Sequence, residues 1–232
     1  VVCNDSVNYR VGLFDTSGLI YYSRVDGDLF NDVFPPDSVV IHHVSVDSIT
    51  GLPVLSWQPG PSLDVIKYIV YRIDMYSNPV VAIPIDTIIG FNSVYWLDTV
   101  SGQNPYDSSL HYGIAGVDSC GNTGLISRRH STIHLSGGLD QCISSIVLQW
   151  TDYKGWDAVQ EYEILRSDAG APYVSLTTVP AGQEVYQYVD NQNLIQDTTY
   201  CYTIVAKRAA DDTIAWSNHL CAVASVIEPP QY

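Results

Sequence analysis

The feature that most constrains this chain is a pattern that it writes twice. Leu55-Ser56-Trp57 is followed by Tyr68-Ile-Val-Tyr-Arg-Ile-Asp74, and Leu148-Gln149-Trp150 by Tyr162-Glu-Ile-Leu-Arg-Ser-Asp168. Downstream, Trp96-Leu97-Asp98 parallels Tyr188-Val189-Asp190, and Tyr112-Gly-Ile-Ala parallels Tyr202-Thr-Ile-Val. The period is about 90 residues, enough for one small domain to bury its own core. Within each copy the apolar residues stand at every second position, as at Ile146, Leu148 and Trp150, and period two means strand. Turn compositions such as Gln58-Pro59-Gly60-Pro61 and Ser119-Cys120-Gly121-Asn122 separate these runs. No window combines helix-forming composition with a helical apolar stripe, so the fold class is all-β.

A third, incomplete copy comes first. Tyr9 to Asp15, followed by Tyr22-Ser23, matches Tyr112 to Asp118 followed by Ile126-Ser127, and Ser217 follows Tyr202 at the corresponding distance. The expected division is therefore residues 1–34 as the final hairpin of an upstream repeat, 35–36 as a stiff proline linker, and 37–134 and 135–232 as complete copies. The opening Val1-Val2-Cys3 has neither an initiator Met nor a leader and reads as a piece of something longer. In the last copy, His134 to Cys142 leaves little room for a first strand, which is expected to be short or absent.

Charge sets the partner classes. Ten Lys+Arg against 25 Asp+Glu give a net charge of −15, which repels phosphate backbones and anionic lipid headgroups. The reading is no nucleic acid and no membrane insertion, since no apolar run approaches the ~20 residues that a spanning helix needs. With 46% hydrophobic and 15% charged residues, the chain is a folded protein and not an acidic disordered tail.

A Trp in the second strand, a Tyr-rich third strand, an aromatic-x-Asp element, a Tyr-x-aliphatic-x-small strand and a Ser-ended last strand, in that order, resemble fibronectin type III domains. The resemblance covers 37–232 as two copies and 1–34 as a fragment. It implies immunoglobulin-like, seven-strand β-sandwiches in tandem, with Tyr112 and Tyr202 as candidates for a tyrosine corner and Tyr200 as a rival in the second copy. The strings Val44 to Gly51, Asp118 to Asn122, and Ile146 to Trp150 followed by Tyr153-Lys-Gly-Trp156 also resemble the repeat region of secreted, gliding-motility-associated bacterial surface proteins. That likeness implies an extracellular or cell-surface location, and a non-catalytic binding or spacer role in adhesion towards a protein or glycan at a cell surface. The alternative is an accessory glycan-binding module of a secreted polysaccharide-degrading enzyme.

Residues that could carry chemistry are few. Gly-x-Ser-x-Gly, phosphate-loop and His-Glu-x-x-His motifs do not occur, so the chain reads as no enzyme. His130 and His134 have a metal-binding spacing on a helix, but on a strand they stand roughly 13 Å apart and read as solvated histidines. Asp26, Asp28, Asn31 and Asp32 place three carboxylates and an amide at a domain junction, the oxygen chemistry that Ca²⁺ takes, although the segment lacks a complete loop with a closing Glu and reads also as a solvated acidic linker; no other cofactor is expected. Tyr153 and Trp156, in the turn after the Trp150 strand, could stack on a sugar ring; the other reading is that they pack on the neighbouring domain or the strand end. Of five cysteines, Cys201 and Cys221 are equidistant from a turn at Asp211 and suit a cross-strand bridge; Cys142 is an alternative partner, and a reduced, buried state stays open. Asp followed by Ser or Thr and then Val, Ile or Thr resembles the periplasmic O-glycosylation acceptor of the same bacterial group, at Ser6, Ser38, Ser48, Thr87, Thr99, Thr198 and Thr213. The same dipeptide is also a plain turn-to-strand signal.

Overall fold

The computed structural model describes residue 3, residues 5–100 and residues 102–225; residues 226–232, the end of the expected second copy, lie outside the described residues. All of its regular structure is strand. Asp5–Tyr9 (β1), Gly12–Phe14 (β2), Ile20–Tyr22 (β3) and Asp26–Phe30 (β4) form one long ribbon, with β1 on β4 and β2 on β3. Its turn is closed by Asp15, whose carboxylate accepts from the Ser17 and Leu19 amides at 2.8 and 3.0 Å.

Two sandwiches follow. The first uses Val40–Val46 (β5), Pro53–Gln58 (β6), Val65–Asp74 (β7), Val81–Ile89 (β8), Tyr95–Leu97 (β9), His111–Asp118 (β10) and His130–Ser131 (β11). One sheet has the order β5-β6-β9, the other β11-β10-β7-β8. The second uses Leu135–Asp140 (β12), Ser145–Trp150 (β13), Val159–Asp168 (β14), Val174–Pro180 (β15), Tyr186–Asp190 (β16), Thr199–Arg208 (β17), Ile214–Trp216 (β18) and Leu220–Val223 (β19). Its sheets are β12-β13-β16 and β15-β14-β17, with β18 and β19 both lying on β17 as one interrupted seventh strand. In each, strands one, two and five face strands four, three, six and seven, the seven-strand sandwich that the resemblance implies.

Each sandwich closes on its own core. Trp57 packs edge-on against Tyr68, and Trp150 stacks on Tyr186 and lies tilted against Tyr162, with both tryptophans nearly inaccessible. Two expectations are corrected. The first strand of the second copy is present as β12, because Gly137 and Gly138 sit at φ +131° and +152° and a Cβ at Gly137 would overlap the Val147 carbonyl. Glycine there lets the strand lie close against β13, and it also hid the strand from a propensity reading. The tyrosine corner belongs to Tyr200, whose hydroxyl donates to Asn193 O at 3.2 Å and accepts from Ile195 N at 2.9 Å. Tyr112 and Tyr202 instead donate to the aspartates that end the fifth strands, Asp98 at 2.6 Å and Asp190 at 2.8 Å.

Candidate functional site

The sandwiches meet without a linker. Strand β11 ends at Ser131 and β12 begins at Leu135, and of the three residues between them Thr132 and Ile133 are fully buried. Leu110 N donates to Thr132 Oγ1 at 2.9 Å, His134 Nδ1 lies 3.1 Å from Pro105 O, and Ile133 bridges to Ser217 of the second sandwich. A chain pinned on both sides of so short a connection has little freedom to pivot.

The loop after β13 completes the joint. Lys154 and Ser131 exchange backbone hydrogen bonds, through Ser131 N to Lys154 O and Lys154 N to Ser131 Oγ. Trp156 Nε1 donates to His42 O at 2.5 Å, and Trp216 N to Ser45 Oγ at 2.8 Å. The Tyr153 hydroxyl lies at the centre: it accepts from Val44 N at 3.0 Å and sits 2.9 Å from His130 Nδ1. Burial of this hydroxyl pushes its pKa above that of an ordinary tyrosine, so it keeps its proton. Gly155, at φ +129°, is required here because a Cβ would overlap the His130 ring. Arg128 and Asp157 pair across the rim at 2.6 Å, where both are well exposed.

These positions decide several expectations. Tyr153 and Trp156 are 3% and 6% exposed, packed on each other and on the first sandwich, so neither ring offers a face to a sugar. Of the two readings given for them, packing on the neighbouring domain is the one that the geometry fits. His130 is buried, not solvated, since the second sandwich covers it.

The acidic junction is arranged differently from the expected set. Asp26 and Asp28 lie on β4, opposite Tyr9 and Val7, with their carboxylates taken up by the Gly27 and Leu29 amides at 3.0 and 2.7 Å. Asn31 is exposed in the segment that follows. Asp32 joins Asp64 and Asp118 instead, the one group of three metal-ligand types among the described residues whose ligand atoms lie within 4.8 Å of one another. Asp118 already accepts from Cys120 N, Asn122 N and Asn122 Nδ2, all at 2.8 Å. Wide sequence separation hid this cluster.

Cys201 and Cys221 are directly opposed in the β17–β19 register and form a disulfide. Cys3 and Cys120 form a second, which sequence reasoning missed, and Cys142 is exposed and free. The Cys3–Cys120 bond and an Asn122 Nδ2 to Asp32 O hydrogen bond of 3.0 Å tie both ends of the N-terminal ribbon to one turn of the first sandwich. Of the seven residues that follow Asp in this pattern, Ser6, Ser38, Ser48, Thr87 and Thr99 are exposed, and Thr198 and Thr213 half-buried.

One serine repeats its bonds three times. Ser127 exchanges bonds with Ile114, N to O at 2.8 Å and Oγ from N at 3.1 Å, while Ser217 does the same with Ile204 at 2.9 and 2.9 Å. In the ribbon Ser23 does so with Val11 at 2.8 and 2.9 Å. Yet Tyr9 and Val11 are 69% and 72% exposed, where Tyr112, Tyr202, Ile114 and Ile204 are buried. The ribbon thus has the hydrogen bonding of a sixth-and-seventh-strand hairpin and none of the core that covers the other two.

No family model matches the chain, and no curated protein matches it. Among solved structures it is similar to the FN1–FN3 domains of chicken CNTN1, at 14% identity and a TM-score of 0.35, over 89% of this chain and 72% of that one. It is also similar to the central fibronectin-III array of RIM-binding protein, at 15% identity and a TM-score of 0.33, over 86% and 74%. The fold assignment rests on the strand order described above.

Proposed function

We propose that the chain is a non-catalytic spacer segment of a repeat array, in which 37–134 and 135–232 are successive units held at a fixed angle and 1–34 is the closing hairpin of the unit before them. Sandwich modules of this kind commonly serve as binding or spacer units. The observation that carries the reading is the joint: a three-residue connection, two buried aromatic side chains and six hydrogen bonds made by Tyr153, Trp156, Lys154 and Trp216 across it. Rigid units in series project whatever they carry to a distance, and adhesion to a protein or glycan at a cell surface is the proposed use. Two disulfides favour an oxidising, extracellular setting. Among the described residues no helix is long and apolar enough to cross a membrane.

The accessory glycan-binding reading loses its two contact residues to the joint. Small-angle X-ray scattering of the full chain at pH 7.5 tests the spacer reading. A profile fitted by one conformer with the sandwiches docked supports it, and one that needs a broad ensemble of inter-sandwich distances overturns it.

A further inference from the structure

We propose that the joint is an acid-released lock: neutral His130 accepts a hydrogen bond from the Tyr153 hydroxyl and holds the two sandwiches together, and protonation of His130 lets them separate while each stays folded. This rests on the spacer reading, because only a fixed joint can be released.

The argument starts from hydrogen-bond supply. The Tyr153 hydroxyl has one proton and already accepts from Val44 N, so its proton needs an acceptor, and His130 Nδ1 at 2.9 Å is in place for it. That requires the imidazole tautomer with Nδ1 bare. A protonated ring has a hydrogen on Nδ1, which leaves the buried Tyr153 O–H facing a donor and without a partner.

The charged surroundings act in the same direction. Arg128, two residues before His130 in the chain, and Arg208, at the end of β17, are the cations that His130 feels, and His43 of β5 adds to them. The carboxylates beside those cations are committed to them: Asp157 holds Arg128 at 2.6 Å and Asp211 holds Arg208 at 3.2 Å. Lys154 pairs with Asp152 at 2.5 Å, and His42 contributes its backbone carbonyl to Trp156. No acid faces the ring among these contacts to stabilise an imidazolium. Burial first, then Arg128, Arg208 and His43, lower its pKa from 6.5 to about 3.

The sign follows from linkage. The docked state favours the neutral ring, so the lock is at full strength above the ring's ordinary pKa and weakens as pH falls below it, until the docked ring itself titrates near 3. Where undocking restores the ring's ordinary pKa of 6.5, the ratio of docked to undocked chain falls about 25-fold between pH 7 and pH 5, and this is the upper limit, because Arg128 and His43 stay beside the ring in the first sandwich. Each sandwich has its own core cluster, so release need not unfold either one.

The experiment is small-angle scattering of the full chain at pH 7.5 and pH 4.5, for the wild type and for His130→Gln, which has an acceptor but no titration, with amide NMR spectra to report each core. The lock predicts a wild type that is docked at 7.5 and extended or broadened at 4.5 with both cores intact, and a variant that is equally docked at both. A wild type whose distance distribution is unchanged at 4.5, or a variant that opens as much as wild type, overturns the proposal without touching the spacer reading, which is judged at pH 7.5 alone. Should His130→Gln already be undocked at pH 7.5, the wild-type Trp156 indole and Val44 amide resonances decide. Movement with the same midpoint as the His130 ring supports the lock, and a different midpoint refutes it.

Discussion

Replacing Asp190 by asparagine removes the charge from a carboxylate that three partners share inside the second sandwich. Asp190 is fully buried and accepts from Arg166 Nη1 at 2.9 Å, Tyr202 OH at 2.8 Å and Gln192 N at 3.0 Å. The Arg166 side chain is only 9% exposed, so the substitution would leave a buried guanidinium short of countercharge and turn an amide N–H towards either Arg166 or Tyr202. Breaking a buried pair from one side costs about 3–5 kcal/mol. Asp168 still holds Arg166 through two bonds at 2.7 and 3.0 Å and is half-exposed, which puts the expected loss near the lower end, about 3 kcal/mol. Native-state amide exchange in β14 and β17 reads the stability of this sandwich separately from the first. Arg166→Met alone and Arg166→Met with Asp190→Asn complete a double-mutant cycle, with an expected coupling above about 1.5 kcal/mol. A loss under about 1 kcal/mol for Asp190→Asn, or a coupling within about 0.5 kcal/mol of zero, refutes the account of this pair.

Other outcomes follow from the same structure. Trp57→Ala and Trp150→Ala are each expected to cost about 3–5 kcal/mol, but the Phe variants much less, because neither indole N–H has a hydrogen-bond partner to lose; chemical denaturation checks both. Cys221→Ser should lower the stability of the second sandwich by about 3 kcal/mol by opening the Cys201–Cys221 loop, whereas Cys3→Ser should leave both sandwich cores unchanged and loosen the ribbon, as calorimetry and amide exchange would show. If Asp32, Asp64 and Asp118 take Ca²⁺, the melting temperature rises with the logarithm of its concentration above the dissociation constant; equal melting in chelator and in millimolar Ca²⁺ removes the metal.

What the sequence made legible was whatever repeats locally. Strand period, the two buried tryptophans and the aromatic-x-Asp elements can be read from spacing alone, because each is set by neighbours within one strand. Tyr200 and Tyr202 lie two apart and point to the same face, so alternation cannot tell which closes the corner; only the partners, Asn193 and Asp190, do. The β12 strand was obscured by glycines that its close approach to β13 demands. Tyr153 and Trp156 left a glycan-binding reading open, because nothing local to their turn shows that the first sandwich covers them. Asp64, just before β7, and Asp118, at the end of β10, come to Asp32 from far along the chain, as Cys120 comes to Cys3, and no local pattern carries that information.

The central claim is that the two sandwiches share one orientation at neutral pH, and residual dipolar couplings of the full chain test it most directly. Couplings from β5–β10 and from β12–β17, fitted separately at pH 7.5, are predicted to give alignment tensors of the same magnitude and direction in the frame of the docked structure. Tensors that differ in magnitude between the two sandwiches mean independent motion, and would contradict the account.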